Sequence, residues 1–302
     1  KIIDVKHPKS ISDRIEFCLC DIRDYECVSH ALNDINLVIH AAIIQIPAIN
    51  EQKRLGYEVN IIGTQNICRA VDSLENIRGM ILTSSWHVIG EANIEGIVDE
   101  SHGYRPDKVE DRARLYAISK IGQEIITRFY DEMSDKVYGI IRLGTVLGEG
   151  MPEKTAANIF IEKGLRGEPI TPYKHSMYRP MLYVDIEDVC RAFEAYVLKI
   201  LINEIEKKRN SFDHIVNLVY PEPITILGLA EIVRDTIVKY TNGKIIPEIK
   251  IVDKGLKSKF TPEDKEKFVV DISKVKNFLG IDRLKSPRES IENIVKKRLL
   301  KD

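Results

Sequence analysis

The sequence predicts an α/β protein built on a doubly wound parallel sheet. Strand-like and helix-like segments alternate through the first 145 residues. The strand-like segments are continuous apolar runs, the pattern of strands covered on both faces. The helix-like segments between them are long enough to serve as crossovers between parallel strands.

Taken in order, Glu16 to Leu19 reads as a strand and Tyr25 to Asn33 as a short helix. Leu37-Val38-Ile39-His40 is a strand, and Glu51 to Leu74 a long helix. Gly79 to Ser84 is a strand. Asp111 to Met133 is a second long helix, with Ile118, Ile121, Ile125, Phe129 and Met133 at helical spacing and no Pro or Gly-rich break. Val137 to Arg142 is a further strand. Right-handed crossovers turn this series into a Rossmann-like layout. After residue 145 the texture changes. Gly144, Gly148, Gly150, Pro152, Gly164, Gly167, Pro169, Pro172 and Pro180 punctuate short elements, as in a smaller, irregular C-terminal lobe. Asp185 to Glu206 returns to a helix and His214 to Val219 to a strand. Thr225 to Tyr240, Ile272 to Leu279 and Pro287 to Leu300 read as closing helices. The expected division is a sheet domain over 1–145 with 185–220 returning to it, and a lobe over 146–184 and 221–302.

A chain of 302 residues suits one large α/β unit or two lobes. Its net charge of −1 argues against nucleic acid or an acidic membrane as partner. The basic runs Lys207-Lys208-Arg209 and Lys296-Lys297-Arg298 read as solvated helix faces. Five cysteines at 18, 20, 27, 68 and 190 lack a second Cys or His pair at zinc spacing, so no metal site is expected and buried thiols are. No stretch reads as a secretory signal, and no apolar run is long enough to span a bilayer. The expectation is a cytoplasmic protein.

Chemistry concentrates at Ser85, Tyr116 and Lys120. Tyr116 and Lys120, four residues apart, project from one helix face. The lysine ammonium favours a phenolate, and Ser85, at the end of an apolar strand, adds a hydroxyl. The trio suits moving a proton on or off an alcohol oxygen while a cofactor takes or gives hydride. The same spacing occurs at Tyr104/Lys108 and Tyr240/Lys244. Pro106 disfavours a helix in the first case and Asn242-Gly243 signals a helix stop in the second. His40, Ser84-Ser85 and Arg142 all fall at strand C-termini, where ligands bind in such folds.

These residues resemble the extended short-chain dehydrogenase/reductase family, in its NAD-dependent nucleotide-sugar epimerase/dehydratase branch, nearly end to end. Asp21-Ile22-Arg23-Asp24 resembles the acidic loop beside the adenine. Val38-Ile39-His40-Ala41-Ala42 resembles the strand end beside the cofactor. Tyr57-Glu58-Val59-Asn60-Ile61-Ile62-Gly63-Thr64 resembles the central helix motif, and Thr83-Ser84-Ser85 the catalytic serine strand. The segments from Arg142 to Gly148 and from Lys163 to Ile170 resemble the entry to the substrate lobe. Arg179 followed by Tyr183-Val184-Asp185, then Asn217, Thr225-Ile226 and Asp271-Ile272-Ser273-Lys274, follow in family order.

The resemblance implies that Tyr116 is the general acid/base, that Ser85 is the catalytic serine (with Gly90 matched to the family's glycine), and that Lys120 holds the nicotinamide ribose and lowers the tyrosine pKa. It implies cofactor contacts from Asp4, Asp21, Ile22, His40, Ala41, Ala42, Asn60 and Thr83, with Asp4 favouring NAD over NADP. It implies substrate contacts from Ser84, Thr145 and Arg179, the arginine on a diphosphate. A homodimer through the helices from Glu51 and Asp111 is implied as well.

Four departures stand beside it. No Gly-x-x-Gly-x-x-Gly occurs near Lys1. The expectation is therefore that the first strand and helix of the Rossmann unit, about thirty residues, are missing from this sequence. Trp86-His87 stands where 4,6-dehydratases carry an Asp-Glu pair, which disfavours dehydration. Thr145 stands in place of asparagine and Ile89 in place of tyrosine. The reading that follows is a sugar-nucleotide epimerase. A dehydrogenase or reductase acting on a small or steroid-like alcohol, and a cofactor-free ligand-binding relative, remain as alternatives.

Overall fold

The computed structural model describes residues 1–8, 10–205 and 210–300. The basic run Lys207-Lys208-Arg209 and the expected helix end at Glu206 lie outside the described residues.

In chain order the elements begin with β1 (Ile2–Asp4), β2 (Phe17–Leu19), α1 (Tyr25–Ala31) and β3 (Leu37–His40). Next come α2 (Ala48–Glu51), α3 (Lys53–Tyr57), a π-helical turn (Glu58–Gly63) and α4 (Thr64–Ser73). Then follow β4 (Gly79–Ser85), β5 (Gly96–Val98), α5 (Asp111–Met133), β6 (Val137–Leu143), β7 (Thr145–Leu147) and α6 (Ala156–Leu165). The remainder is β8 (Pro180–Met181), β9 (Tyr183–Asp185), α7 (Ile186–Leu201), β10 (Ile215–Leu218), β11 (Ile224–Thr225), α8 (Ile226–Tyr240), β12 (Phe268–Val270), α9 (Ser273–Asn277) and α10 (Pro287–Leu299).

The chain divides into two compact units. The first comprises Lys1–Gly90, Gly103–Arg142 and Glu194–Val216. Its sheet runs in the order β10-β6-β4-β3, with β3 and β4 parallel and Leu37 opposite Gly79. β1 and β2 pair in parallel as a separate two-stranded sheet, with Ile2 opposite Phe17. The architecture is the parallel, Rossmann-like α/β fold expected from the alternation. Its core gathers Val28, Leu32, Val38, Ile67, Val71, Met80, Leu82, Tyr138, Ile140 and Ile215. β4 is almost entirely buried, which explains its unbroken apolar sequence up to Thr83.

Two expectations for this unit are corrected. The helix expected over 51–74 is a segmented one that starts at Ala48 and widens into a π turn at Glu58–Gly63. The widening coincides with Asn60, whose buried side chain turns inward: its Oδ1 accepts the Ile44 N–H at 2.7 Å and its Nδ2 donates to Ser119 Oγ at 3.0 Å. Among the cysteines, Cys20 and Cys27 form a disulfide instead of remaining thiols. The loop 21–24 feeds α1, which returns Cys27 to a Cα distance of 5.9 Å from Cys20. Cys68 is a buried free thiol, Cys18 is half-buried and Cys190 exposed.

The second unit comprises Glu91–His102, Leu143–Phe193 and Asn217–Asp302. Short strand pairs organise it: β5 with β12 and β7 with β9, both parallel, and β8 with β11 antiparallel. α8 packs against α6 and α10. Ser286 and Glu289 close a capping box at the start of α10, with Pro287 in its first turn. No described helix is long and apolar enough to cross a membrane.

Candidate active site

β4 ends at Ser85, and the chain turns at once into a short 3-10 turn, Trp86–Ile89. Ser85 caps that turn, its Oγ accepting the His87 N–H at 3.3 Å. The turn ends at Gly90, whose φ of +88° is left-handed. A Cβ there would approach the Lys108 side chain to 2.9 Å, so glycine is required both by conformation and by space.

α5 lays Tyr116 against this turn. Ala113 and Ala117 are fully buried, and their small side chains seat the helix close beneath Val109. The Ser85 hydroxyl lies near enough to Tyr116 to favour its phenolate form. The His87 ring meets the Tyr116 ring edge-on, with centroids 5.6 Å apart. Ser85 Oγ lies 3.0 Å from His87 Nδ1. The structure therefore brings His87 into contact with both Ser85 and Tyr116.

Lys120, one helical turn on, is buried, and its ammonium donates to the Thr83 carbonyl at 2.6 Å. Burial lowers its pKa to about 7, against the opposing pull of Glu124. Burial pushes the Tyr116 phenol above its ordinary value, and the nearby Ser85 hydroxyl opposes the rise. The expected lowering of the phenol by the lysine charge is thus corrected. The ammonium is turned to Thr83, and Ser85 is the group that favours the phenolate.

Behind the trio lies a buried polar network centred on Glu124, a residue that the sequence reading did not single out. Ser84 donates to Glu124 Oε1 at 2.6 Å. Arg142 binds Glu124 through Nη2 at 2.8 Å and Nε at 3.0 Å, with side-chain exposures of 1% and 0% for the pair. Tyr104 donates to Glu124 Oε2 at 3.0 Å. The signal was the repeat of four: Tyr116, Lys120 and Glu124 follow one another up a single helix face. Tyr104, set aside as an accidental match to the Tyr-x-x-x-Lys spacing, serves as a hydrogen-bond donor to this network.

The helix itself is inside out. Lys120, Gln123, Glu124, Thr127 and Asp131 are buried, whereas Ile118 and Ile125 are each 47% exposed, Met133 61% and Phe129 70%. The apolar periodicity that predicted α5 therefore lies, apart from buried Ile121, on its outer face.

The other expected cofactor residues of the first unit are dispersed along its strand ends. Asp4 is exposed at the end of β1, with one oxygen accepting the Lys6 N–H at 2.9 Å. Asp21 is held by Arg23 at 2.6 Å, which lowers its pKa, and Ile22 is buried beside it. His40 is buried, with Nε2 2.8 Å from Thr64 Oγ1, and burial lowers its pKa to about 3. Ala41 is exposed and Ala42 half-buried just beyond it. Thr145 and Arg179 belong to the second unit. Thr145 starts β7, its N–H donating to the Leu182 carbonyl at 2.7 Å, and Arg179 lies 3.8 Å from Glu91. No cluster of metal-ligating side chains occurs among the described residues.

Residues 3–205 match the NAD dependent epimerase/dehydratase family. The chain is 31% identical to a putative UDP-glucose 4-epimerase of Methanocaldococcus jannaschii, over 61% of this chain and 59% of the relative. It is 27% identical to cinnamoyl-CoA reductase 1 of Petunia hybrida, over 60% of this chain and 53% of the relative. The chain thus spans under two-thirds of the length of these curated relatives. Its fold is similar to that of the Thermus thermophilus UDP-glucose 4-epimerase in complex with NAD, with a TM-score of 0.73 at 22% identity over 95% of this chain and 85% of the other. That match covers more than half of the chain, and the chain belongs to the NAD dependent epimerase/dehydratase family.

Proposed function

We propose that this protein is an NAD-dependent enzyme of the epimerase type acting on a nucleotide sugar. The observation that carries the reading is the gathering of Ser85 and Tyr116 about the His87 ring, with Lys120 buried one helical turn beyond Tyr116. Tyr116 takes the proton of a substrate hydroxyl and returns it, while Ser85 holds the same oxygen and favours the phenolate. NAD, when bound, supplies the hydride chemistry.

The donor set fits that cofactor. A lysine ammonium has three donors, and the hydrogen bond to Thr83 uses one of them, leaving others for ribose hydroxyls. Asp4 offers an exposed carboxylate to the adenosine ribose, which selects NAD over NADP. Asp21 and Ile22 would flank the adenine, and Ala41, Ala42 and Thr83 would line the path between. His40 and Asn60 spend polar atoms on Thr64, Ile44 and Ser119, so they hold the loop after β3 in place. Thr145 and Arg179 are assigned to the substrate, Arg179 to its diphosphate. The Ser84 hydroxyl is directed to Glu124, which gives Ser84 a supporting part in the same assignment.

Epimerase is favoured over dehydratase because Trp86-His87 places no carboxylate after Ser85. The names of the similar proteins, UDP-glucose 4-epimerases among them, support a nucleotide sugar. The test is incubation with UDP-glucose and NAD. The 4-epimer should form with no net accumulation of NADH. Net NADH production from an alcohol would favour a second reading, a dehydrogenase or reductase, which Thr145, Ile89 and the likeness to cinnamoyl-CoA reductase support. Failure to bind NAD would leave a ligand-binding relative.

The exposed stripe Ile118, Ile125, Phe129 and Met133 supports a homodimer formed across α5.

A further inference from the structure

We propose that the Cys20–Cys27 disulfide is a redox switch on the cofactor loop, opened by a thiol of the glutathione class with a loss of affinity for NAD. The inference rests on the NAD reading of the proposed function and adds a control that the family resemblance does not include.

The tie spans the loop and little else. Cys20 follows β2 directly, its N–H donating to the Asp4 carbonyl at 3.1 Å. Cys27 lies in the first turn of α1, and the two sulfurs are bonded across a sequence separation of 7. Between them stand Asp21 and Ile22, which flank the adenine in the proposed function. Asp24 stands there too, and its Oδ1 caps α1 by accepting the Cys27 N–H at 3.1 Å. Opening the bond therefore acts on the adenine loop directly.

The loop has hydrogen bonds of its own. Asp21 Oδ1 accepts the Arg23 N–H at 3.0 Å, and the Asp24 N–H donates to the Asp21 carbonyl at 2.9 Å. Asn66 Nδ2 donates to the Ile22 and Arg23 carbonyls, both at 2.9 Å. None of these bonds involves a sulfur, so the loop stays folded in both redox states. The disulfide adds a tie between the end of β2 and the start of α1. Without it Asp21 and Ile22 have more positions open to them, and a less preorganised site binds more weakly.

The two sulfurs differ in access. Cys20 is 3% exposed, whereas Cys27 is half-buried. An attacking thiolate therefore meets the Cys27 sulfur, and Cys20 is the leaving group. The first glutathione thiolate bonds to Cys27 Sγ as the Cys20–Cys27 bond breaks. A second attacks the glutathione sulfur of that mixed disulfide and releases Cys27 with glutathione disulfide. Each released thiolate takes up the proton its attacker gave up. Two electrons pass from two thiols to one disulfide, and glutathione disulfide reverses the sequence. Cys18, a half-buried free thiol, lies two residues before Cys20 on the same strand face and packs on the same core. It is the competing partner that a test must remove.

The experiment uses the whole protein carrying Cys18→Ser, in glutathione buffers of graded oxidation. Trypsin cuts after Arg23, between the two cysteines, so the two peptides stay joined only through the disulfide. The joined pair should be lost in reduced glutathione and return with glutathione disulfide. Peptides that are never joined, or that glutathione does not separate, overturn the proposal. Reduction should raise the Kd for NAD by roughly 10-fold, as for a freed loop that is competent about a tenth of the time. Equal Kd in the two states overturns the proposal. So does a redox response that persists in Cys20→Ser/Cys27→Ser, since it belongs to another cysteine. If neither state binds NAD, the NAD reading fails, and amide hydrogen exchange over residues 21–26 decides the switch. Faster exchange on reduction upholds it, and equal exchange overturns it.

Discussion

Ser84 donates its hydroxyl to Glu124 Oε1 at 2.6 Å, which ties the residue before Ser85 to the helix that carries Tyr116 and Lys120. Arg142 completes the tie from the next strand, so β4, α5 and β6 meet in one buried charge cluster. The cluster fixes where Ser85 and Tyr116 stand relative to each other.

That cluster sets a stability prediction. Arg142→Met leaves Glu124 buried without its cation. The loss should be about 3–5 kcal/mol in urea unfolding, the cost of breaking a buried pair from one side. The paired variant Arg142→Met/Glu124→Gln should recover part of it. Equal stability of all three proteins would mean that the pair holds nothing together.

Lys120 sets a pH prediction. Its pKa falls from 10.5 to about 7 on folding. Between those values the unfolded chain binds more protons than the folded one, so stability rises with pH across the window. Below about 7 the penalty of burying the charge is present in full. The slope from this group is at most about 1.4 kcal/mol per pH unit. Urea unfolding at three pH values across the window should show the rise in the parent protein and its loss in Lys120→Met. Parallel curves would contradict a desolvated lysine.

Tyr116→Phe should lower turnover by at least about 10²-fold, the lower end for acid/base groups. NAD binding, measured by fluorescence titration, should change little, because the phenol is assigned to the substrate oxygen. Unchanged turnover would remove Tyr116 from the mechanism.

Phe129→Asp should convert a dimer to a monomer in sedimentation velocity. Phe129 is 70% exposed in the isolated chain, and a charge at the centre of an apolar interface costs more than the contacts return. A parent protein that already sediments as a monomer would sink the assignment of this face.

The sequence by itself determined the alternation of strands and helices, because buried parallel strands must be apolar throughout and crossover helices must be amphipathic. Asp111–Met133 and the strand ending at Ser85 were legible for that reason. The placing of Tyr116 and Lys120 on one face of that helix was legible too, since residues four apart on a helix share a face. Tertiary structure alone decided the rest. It decided that the α5 stripe faces outward, because periodicity gives a face but not its direction. It opened the helix near Glu58 into a π turn where Asn60 clamps the loop at Ile44. It paired Cys20 with Cys27, a matter of loop geometry that spacing does not encode. It turned the Lys120 ammonium toward Thr83 and set the His87 ring against both Ser85 and Tyr116, since partner choice among buried polar groups depends on distances between elements far apart in the chain.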